Sequence, residues 1–315
     1  MSIAPIGVGI DVGKFDCVVA IQGRTGSLNF PNDPPGIAAM TALLAGLGRR
    51  ARIGLEATGG YELPLWEALH GAGLWVRQMP PARVHAFARA SGRLAKTDRI
   101  DAATIAAFTL QTPQAGRVLP PANTVEIKAL TTKRRQLVAM RKALLCQRAQ
   151  TRDAWVQNLD AAHLELIDGQ IAALAARIDR LLQQDPELAR RAALLRSIPG
   201  LGPVVAATLL AEMPELGQLR PKAAAALAGL APISRDSGTR SGRRFIRGGR
   251  NTVRSALYMA ALSAARHNPD LNRFAERLKR AGKPGKQIIT AVARKLVELA
   301  NTVLNRKTPW TPNTT

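Results

Sequence analysis

The sequence predicts an α/β domain built on a mixed sheet, followed by an all-α remainder. Short apolar runs of strand length occupy the first eighty residues, long proline-free Ala/Leu/Gln/Arg stretches follow residue 120, and a glycine-marked turn joins two helical runs near residue 200. The opening runs Ile6-Gly-Val-Gly-Ile-Asp-Val12, Phe15 to Ile21 and Ser27 to Phe30 read as a three-stranded meander with glycine-bearing turns. Residues 36–48 read as helix, Ala51 to Leu55 as a buried strand, residues 61–71 as helix and Leu74 to Gln78 as a fifth strand with helix beyond. Two domains joined by an arm suit a chain of 315 residues, with expected limits at 1–115, 116–190 and 191–315.

Three meander strands followed by alternating α and β elements form a ribonuclease-H-like pattern, and four carboxylates take notable positions on it. Asp11 sits among Val8, Ile10 and Val12, where an ionised side chain is costly unless something pairs with it. Glu56 ends the strand Arg52-Ile-Gly-Leu-Glu before the turn Ala57-Thr-Gly-Gly60. Asp98 and Asp101, in Lys96-Thr-Asp-Arg-Ile-Asp101, open a helix with both acids on one face. Converging carboxylates suit two Mg²⁺ ions, hard cations that can activate an attacking oxygen and stabilise a leaving oxygen at a phosphodiester. A purely structural use competes for the last two, Asp98 as a helix N-cap and Asp101 as a first-turn acid.

Charge points the same way. The chain carries 45 Lys and Arg against 22 Asp and Glu, a net +23, which implies a polyanionic partner. The surplus is uneven: residues 216–315 hold 20 basic and 4 acidic side chains, whereas residues 1–115 hold 11 and 8. Two cysteines, Cys17 and Cys146, build no disulfide framework and read as apolar fillers in a reducing compartment. The absence of a bilayer-length apolar run or a signal-peptide pattern sets the expectation of a cytoplasmic protein without a membrane partner.

In the middle, Thr124 to Ala149 and Ala161 to Gln184 are expected to be long helices. Leu164, Ile167, Ile171, Leu174, Ile178 and Leu181 alternate at spacings of three and four, the seam of a coiled-coil arm that could pack within the chain or on a second copy. A basic run, Lys128, Lys133, Arg134, Arg135, Arg141, Lys142, Arg148 and Arg152, leans towards nucleic acid over a merely solvated face.

Ser197-Ile-Pro-Gly-Leu-Gly-Pro203 has the pattern of a helix-hairpin-helix, in which Gly200 and Gly202 would let backbone N–H groups reach a phosphate. The alternative is a tight connection that touches nothing. Beyond it, Gly229 to Arg254 holds seven arginines and one acid, Asp236, so Arg240, Arg243, Arg244, Arg247, Arg250 and Arg254 are candidate phosphate contacts. Ser237, before Gly238, lies at the start of this strip. A serine among guanidinium groups can act as a phosphodiester nucleophile, although on composition alone a loop serine is the commoner reading.

The strings Gly9-Ile-Asp-Val-Gly-Lys14, Leu55-Glu-Ala-Thr-Gly-Gly-Tyr61, Lys96-Thr-Asp-Arg-Ile-Asp-Ala102, Ile198-Pro-Gly-Leu-Gly202, Gly229-Leu-Ala-Pro232 with Ser237-Gly238, and Ala256-Leu-Tyr-Met-Ala260 together resemble the insertion sequence 110 family of transposases, which includes the pilin-gene inversion recombinase, over nearly the whole chain. The resemblance implies a RuvC-like domain whose Asp-Glu-Asp-Asp set falls on Asp11, Glu56, Asp98 and Asp101. It implies a C-terminal serine that joins covalently to DNA, here Ser237 with Ser241 and Ser234 as neighbours. It further implies a homo-oligomer acting on the DNA of element ends and target, in some members guided by a bridge RNA. Many relatives read Lys-Arg-Gly-Asn after the serine, where this chain has Arg247-Gly-Gly-Arg-Asn251.

Competing readings are a junction-resolving nuclease that uses only carboxylates and water, and a non-catalytic nucleic-acid chaperone. An actin-like sugar kinase would need a second phosphate loop and an adenosine loop, neither of which is present.

Overall fold

The computed structural model describes residues 4–92, 97–233 and 244–312. The chain divides into two compact units, Met1–Leu119 and Pro120–Thr315. The helices expected to form an arm belong to the second unit.

In the first unit, β1 (Ile6–Val12), β2 (Asp16–Ile21) and β3 (Leu28–Pro31) form the meander, and α1 (Pro34–Ala45), β4 (Ala51–Glu56), α2 (Leu63–Gly71), β5 (Val76–Met79), α3 (Pro81–Ala90) and α4 (Asp98–Gln111) follow. The sheet order is β3-β2-β1-β4-β5, antiparallel among the first three strands and parallel from β1 to β4 and β4 to β5. The mixed sheet expected from the sequence is therefore present, with boundaries displaced by one or two residues.

The two faces of the sheet differ in chemistry because strand side chains alternate. Val8, Ile10, Val12, Ile53 and Leu55 share a buried cluster with Met40 and Leu44 of α1 and Leu65, Trp66 and Leu69 of α2. On the opposite face the alternate positions are Gly7 and Gly9 in β1 and Gly54 in β4. A Cβ on Gly9 would collide with the Ala102 carbonyl oxygen of α4, one on Gly7 would lie 2.9 Å from the Ala106 carbonyl oxygen, and one on Gly54 would collide with the Thr109 hydroxyl. Helix α4 thus lies against the sheet almost backbone to backbone, burying Ala102, Ile105, Ala106 and Thr109. Its run of contacts, Ala102 at Gly9 and Leu110 at Gly7, is antiparallel to β1 and brings its first turn to the strand's C-terminal end.

In the second unit, α5 (Ala122–Arg148) and α6 (Ala154–Gln184) pair as an antiparallel hairpin, tied by ion pairs of Arg177 with Glu126 and of Arg141 with Asp168. Helix α6 begins seven residues earlier than the periodicity predicts, because Asp153 caps it by accepting from the Val156 N–H at 3.0 Å. Of the expected seam, Leu164, Ile167 and Ile178 are buried, Ile171, Leu174 and Leu181 are half-buried, and Leu182 is buried beside them. Then come α7 (Pro186–Arg196), α8 (Pro203–Glu212), α9 (Pro221–Leu227), the two-residue strands β6 (Pro232–Ile233) and β7 (Phe245–Ile246), α10 (Asn251–His267), α11 (Pro269–Arg280) and α12 (Gly285–Arg306). One core of residues from Ile127 to Leu304 holds them together. Among the described residues no helix is long and apolar enough to cross a membrane. Cys17 is buried as expected, whereas Cys146 is exposed on α5 and fills no core.

The close contact of α4 makes Gly9 sensitive to a single methyl group. Gly9→Ala is expected to lower stability by about 1–3 kcal/mol through overpacking, read from thermal or urea denaturation; an unchanged transition would show that α4 does not rest there.

Candidate active site

The glycine face sets the position of the acids. Asp11 continues the alternation of Gly7 and Gly9, and Glu56 continues that of Gly54, so both lie on the α4 side at the C-terminal ends of neighbouring strands. The register Ile10↔Leu55 carries them side by side. Across from them the first turn of α4 presents Asp98 and Asp101, and one carboxylate oxygen from each of Asp11, Asp98 and Asp101 lies within 4.8 Å of the others. The Asp98 side chain is not the helix cap: Thr97 fills that role, its hydroxyl accepting from the Ile100 N–H at 3.3 Å.

The electrostatic result falls on Asp11. The Asp11 carboxyl is pushed up from 3.8 to about 6, first by burial and then by the charges of Asp98, Asp101, Glu56 and Asp16. Glu56 stands outside the tightest set of three but acts on the same carboxyl. A hard divalent cation fits this donor set, since it takes oxygen ligands and its charge offsets the repulsion.

Two supporting residues carry no mark in the sequence reading. Glu62 is buried, accepting from the Thr58 N–H at 3.2 Å, the Thr58 hydroxyl at 3.0 Å, the Gly60 N–H at 2.9 Å and the Gln78 amide at 2.7 Å. Burial alone pushes its carboxyl up, but these bonds and its own backbone N–H hold it below the usual range. Glu62 therefore stays ionised and braces the turn that follows Glu56. The Asn32 amide donates to the carbonyls of Gly13 at 2.8 Å and Tyr61 at 3.2 Å, joining the turns that follow β1 and β4. An acid just before an apolar helix was the available signal for Glu62; for Asn32 there was none.

The second unit divides the candidate phosphate contacts. Ser237, its neighbours Ser234 and Ser241, and Arg240 and Arg243 lie outside the described residues. The ends of that segment are paired, Pro232↔Ile246 and Ile233↔Phe245. Arg244 and Arg247 are exposed. Arg250 instead turns inward, its guanidinium meeting Glu215 at 2.6 and 2.8 Å with a side chain only 9% exposed. Arg254 donates to the Gly248 carbonyl and to Asn251, each at 2.8 Å. Gly200 has φ +103° and a Cβ on it would lie 2.5 Å from that of Ala264 in α10, so packing accounts for this glycine, while Gly202 is open on the side where a Cβ would stand.

Clustered carboxylates beneath one helix of a mixed sheet, joined to a strongly cationic helical unit, fit the class of DNA-cutting transposases and recombinases. The chain belongs to the IS110 family of transposases. A DEDD transposase model of IS110 matches residues 8–153, and a model described as Transposase IS116/IS110/IS902 family matches residues 192–276. Among relatives, the chain is 28% identical to the "Pilin gene-inverting protein" of Moraxella bovis, over 96% of this chain and 97% of that one. It is 28% identical to the "Insertion element IS900 uncharacterized 42 kDa protein" of Mycobacterium paratuberculosis, over 94% and 63%. It is 32% identical to the "Insertion element IS110 uncharacterized 43.6 kDa protein" of Streptomyces coelicolor, over 47% and 36%.

Three tests follow from this geometry. A carboxyl raised to about 6 in the fold contributes stability that is present below pH 3.8 and lost as pH rises through 6. Asp11→Asn should therefore stabilise the metal-free protein at pH 7.5, on the order of 1 kcal/mol after discounting for partial exposure, and flatten its stability between pH 3.8 and 6 in calorimetry; a lower melting temperature would refute the cost of burying an ionised Asp11 among like charges. In the second unit, Arg250→Ala should cost about 2 kcal/mol by removing the charge-assisted bonds to Glu215 and the Glu212 carbonyl. Arg244→Ala and Arg247→Ala should leave stability unchanged while weakening DNA binding and lowering its salt slope by roughly one each.

Proposed function

We propose that the protein is the transposase of an insertion sequence, cutting and rejoining DNA through a covalent link to Ser237, assisted by Mg²⁺ at Asp11, Glu56, Asp98 and Asp101. The observation that supports this reading is the convergence of the Asp11, Asp98 and Asp101 carboxylates beside the strand end that carries Glu56. Two Mg²⁺ ions, when bound there, would supply positive charge for the attacking and leaving oxygens of a phosphodiester.

The remaining roles fall to the chain. The Ser237 oxygen forms a bond to phosphorus and gives up its proton; the strand's own oxygen leaves and takes up a proton, ending as a hydroxyl. One DNA end stays attached to the protein through phosphate. Attack by a second DNA hydroxyl reverses the exchange and frees the serine, so the bond energy is kept and no nucleotide triphosphate is consumed. Arginines flanking the serine stabilise the developing charge, and Arg244 and Arg247 hold the backbone. Gly202 and the start of α8 offer backbone N–H groups to a further phosphate. The protein works as a homo-oligomer on element ends and target, with a bridge RNA selecting the sites. The "Pilin gene-inverting protein", named for inversion of a gene, is a relative over nearly the full length of both chains, which favours recombination over simple hydrolysis.

Ser237→Ala and Asp11→Ala are each expected to abolish excision of the element in cells, by at least 10³-fold in keeping with loss of a nucleophile or metal ligand, with nucleic-acid binding retained. A denaturation-resistant protein–DNA adduct should form with the native chain and vanish in Ser237→Ala. Cleavage without any such adduct would favour the hydrolytic reading.

A further inference from the structure

Aromatic residues are scarce in this chain, at 4% of the sequence, yet two are exposed on the turns that leave the acid-bearing strands. Phe15 lies four residues beyond Asp11 and is 76% exposed; Tyr61 lies five residues beyond Glu56 and is 47% exposed. Both turns are held in place. The Asn32 backbone N–H donates to the Phe15 carbonyl at 2.8 Å, and its side-chain amide bridges the Gly13 and Tyr61 carbonyls. The Gly13 N–H also closes the first turn on the Asp16 carbonyl at 2.8 Å. The Lys14 ammonium sits over one face of the Phe15 ring, 4.9 Å from its centroid, leaving the other face for a stacked group.

Leaving two large apolar rings in water forgoes the burial that aromatic side chains usually gain. Braced turns at the C-terminal ends of β1 and β4, next to the carboxylates, give them a different use. We propose that Phe15 and Tyr61 form a stacking platform for an unpaired nucleobase of the DNA strand processed at the acid cluster, with Lys14 beside the adjoining phosphate. The proposal rests on the reading of that cluster as the phosphodiester-processing site. A π-face accepts any base, so the platform selects for an unstacked nucleotide and not for sequence. Asp11, Lys14 and Phe15 follow one another along the end of β1 and its turn, so metal ligand, cation and ring come from one short stretch of chain.

The test uses the full chain and a short single-stranded DNA oligonucleotide of mixed sequence, its duplex, and the matching RNA. Phe15→Trp keeps the ring and reports on stacking. Its fluorescence, as the difference from the native chain, should be quenched by the single strand and not by the duplex. Phe15→Ala and Tyr61→Ala should each weaken single-strand binding about tenfold with duplex affinity unchanged. Equal quenching by duplex, no quenching, or unchanged affinity in both alanine variants would overturn the platform, and a stronger response to RNA would overturn its assignment to DNA. Thermal stabilisation of the same variants by Mg²⁺ separates the two readings. Stabilisation retained alongside a failed stacking result removes the platform alone; its absence in the native chain removes the metal site on which the platform depends.

Discussion

The first unit depends on how closely α4 approaches the sheet. Three positions on one face of β1 and β4 lack side chains, and the helix fills that space with its own backbone and with Ala102, Ala106 and Thr109. Interiors at crystal-like density convert such contacts into fixed distances. A helix held at this range cannot slide without exposing buried surface, so its first turn stays opposite the ends of β1 and β4. The acids converge because small residues further along the same elements let them.

That convergence works against the fold. Burial first, and then the neighbouring carboxylates, make an ionised Asp11 costly, and the effect appears in its elevated proton affinity. The surrounding structure offsets the cost with bonds that have no part in the cluster. Glu62 gathers four donors around the turn after Glu56, and Asn32 ties that turn to the one after β1. In the second unit the pairing of Arg250 with Glu215 anchors the start of α10 in the same way, turning a residue of the arginine-rich strip into an internal strut. Strain at a site balanced by rigid surroundings is common where a ligand completes the charge balance.

Much of this was legible in the sequence because period-two apolar alternation fixes strands and their inner face. Asp11 and Glu56 stood out as acids terminating apolar runs, and Asp98 and Asp101 as a pair at helical spacing. The turn-capping role open to Asp98 fell to Thr97, one residue away, a choice that depends on local dihedral angles and not on composition. The glycine face was available in Gly7, Gly9 and Gly54, whose alternation with the core residues continues to the acids, but a glycine in a strand is as often a bulge as a close approach. The arginines could not be sorted: Arg244, Arg247, Arg250 and Arg254 read alike in a cationic strip, and only the position of Glu215, 35 residues from Arg250 in the chain, separates the inward one from the rest. Gly200 was read for backbone access, whereas the proximity of Ala264 is a tertiary fact no local pattern encodes.

The pairing of Pro232 with Ile246 and Ile233 with Phe245 fixes the two ends of the segment between them a strand's width apart. Residues can be added or removed between such clamped ends without shifting the helices on either side, and doubling the span adds only about 0.6 kcal/mol of closure entropy. Length between these ends therefore costs the fold little closure entropy, whereas under α4 one methyl group is too many. The chain thus sets its strictest packing limit beneath the acids and its loosest limit on chain length between two paired dipeptides.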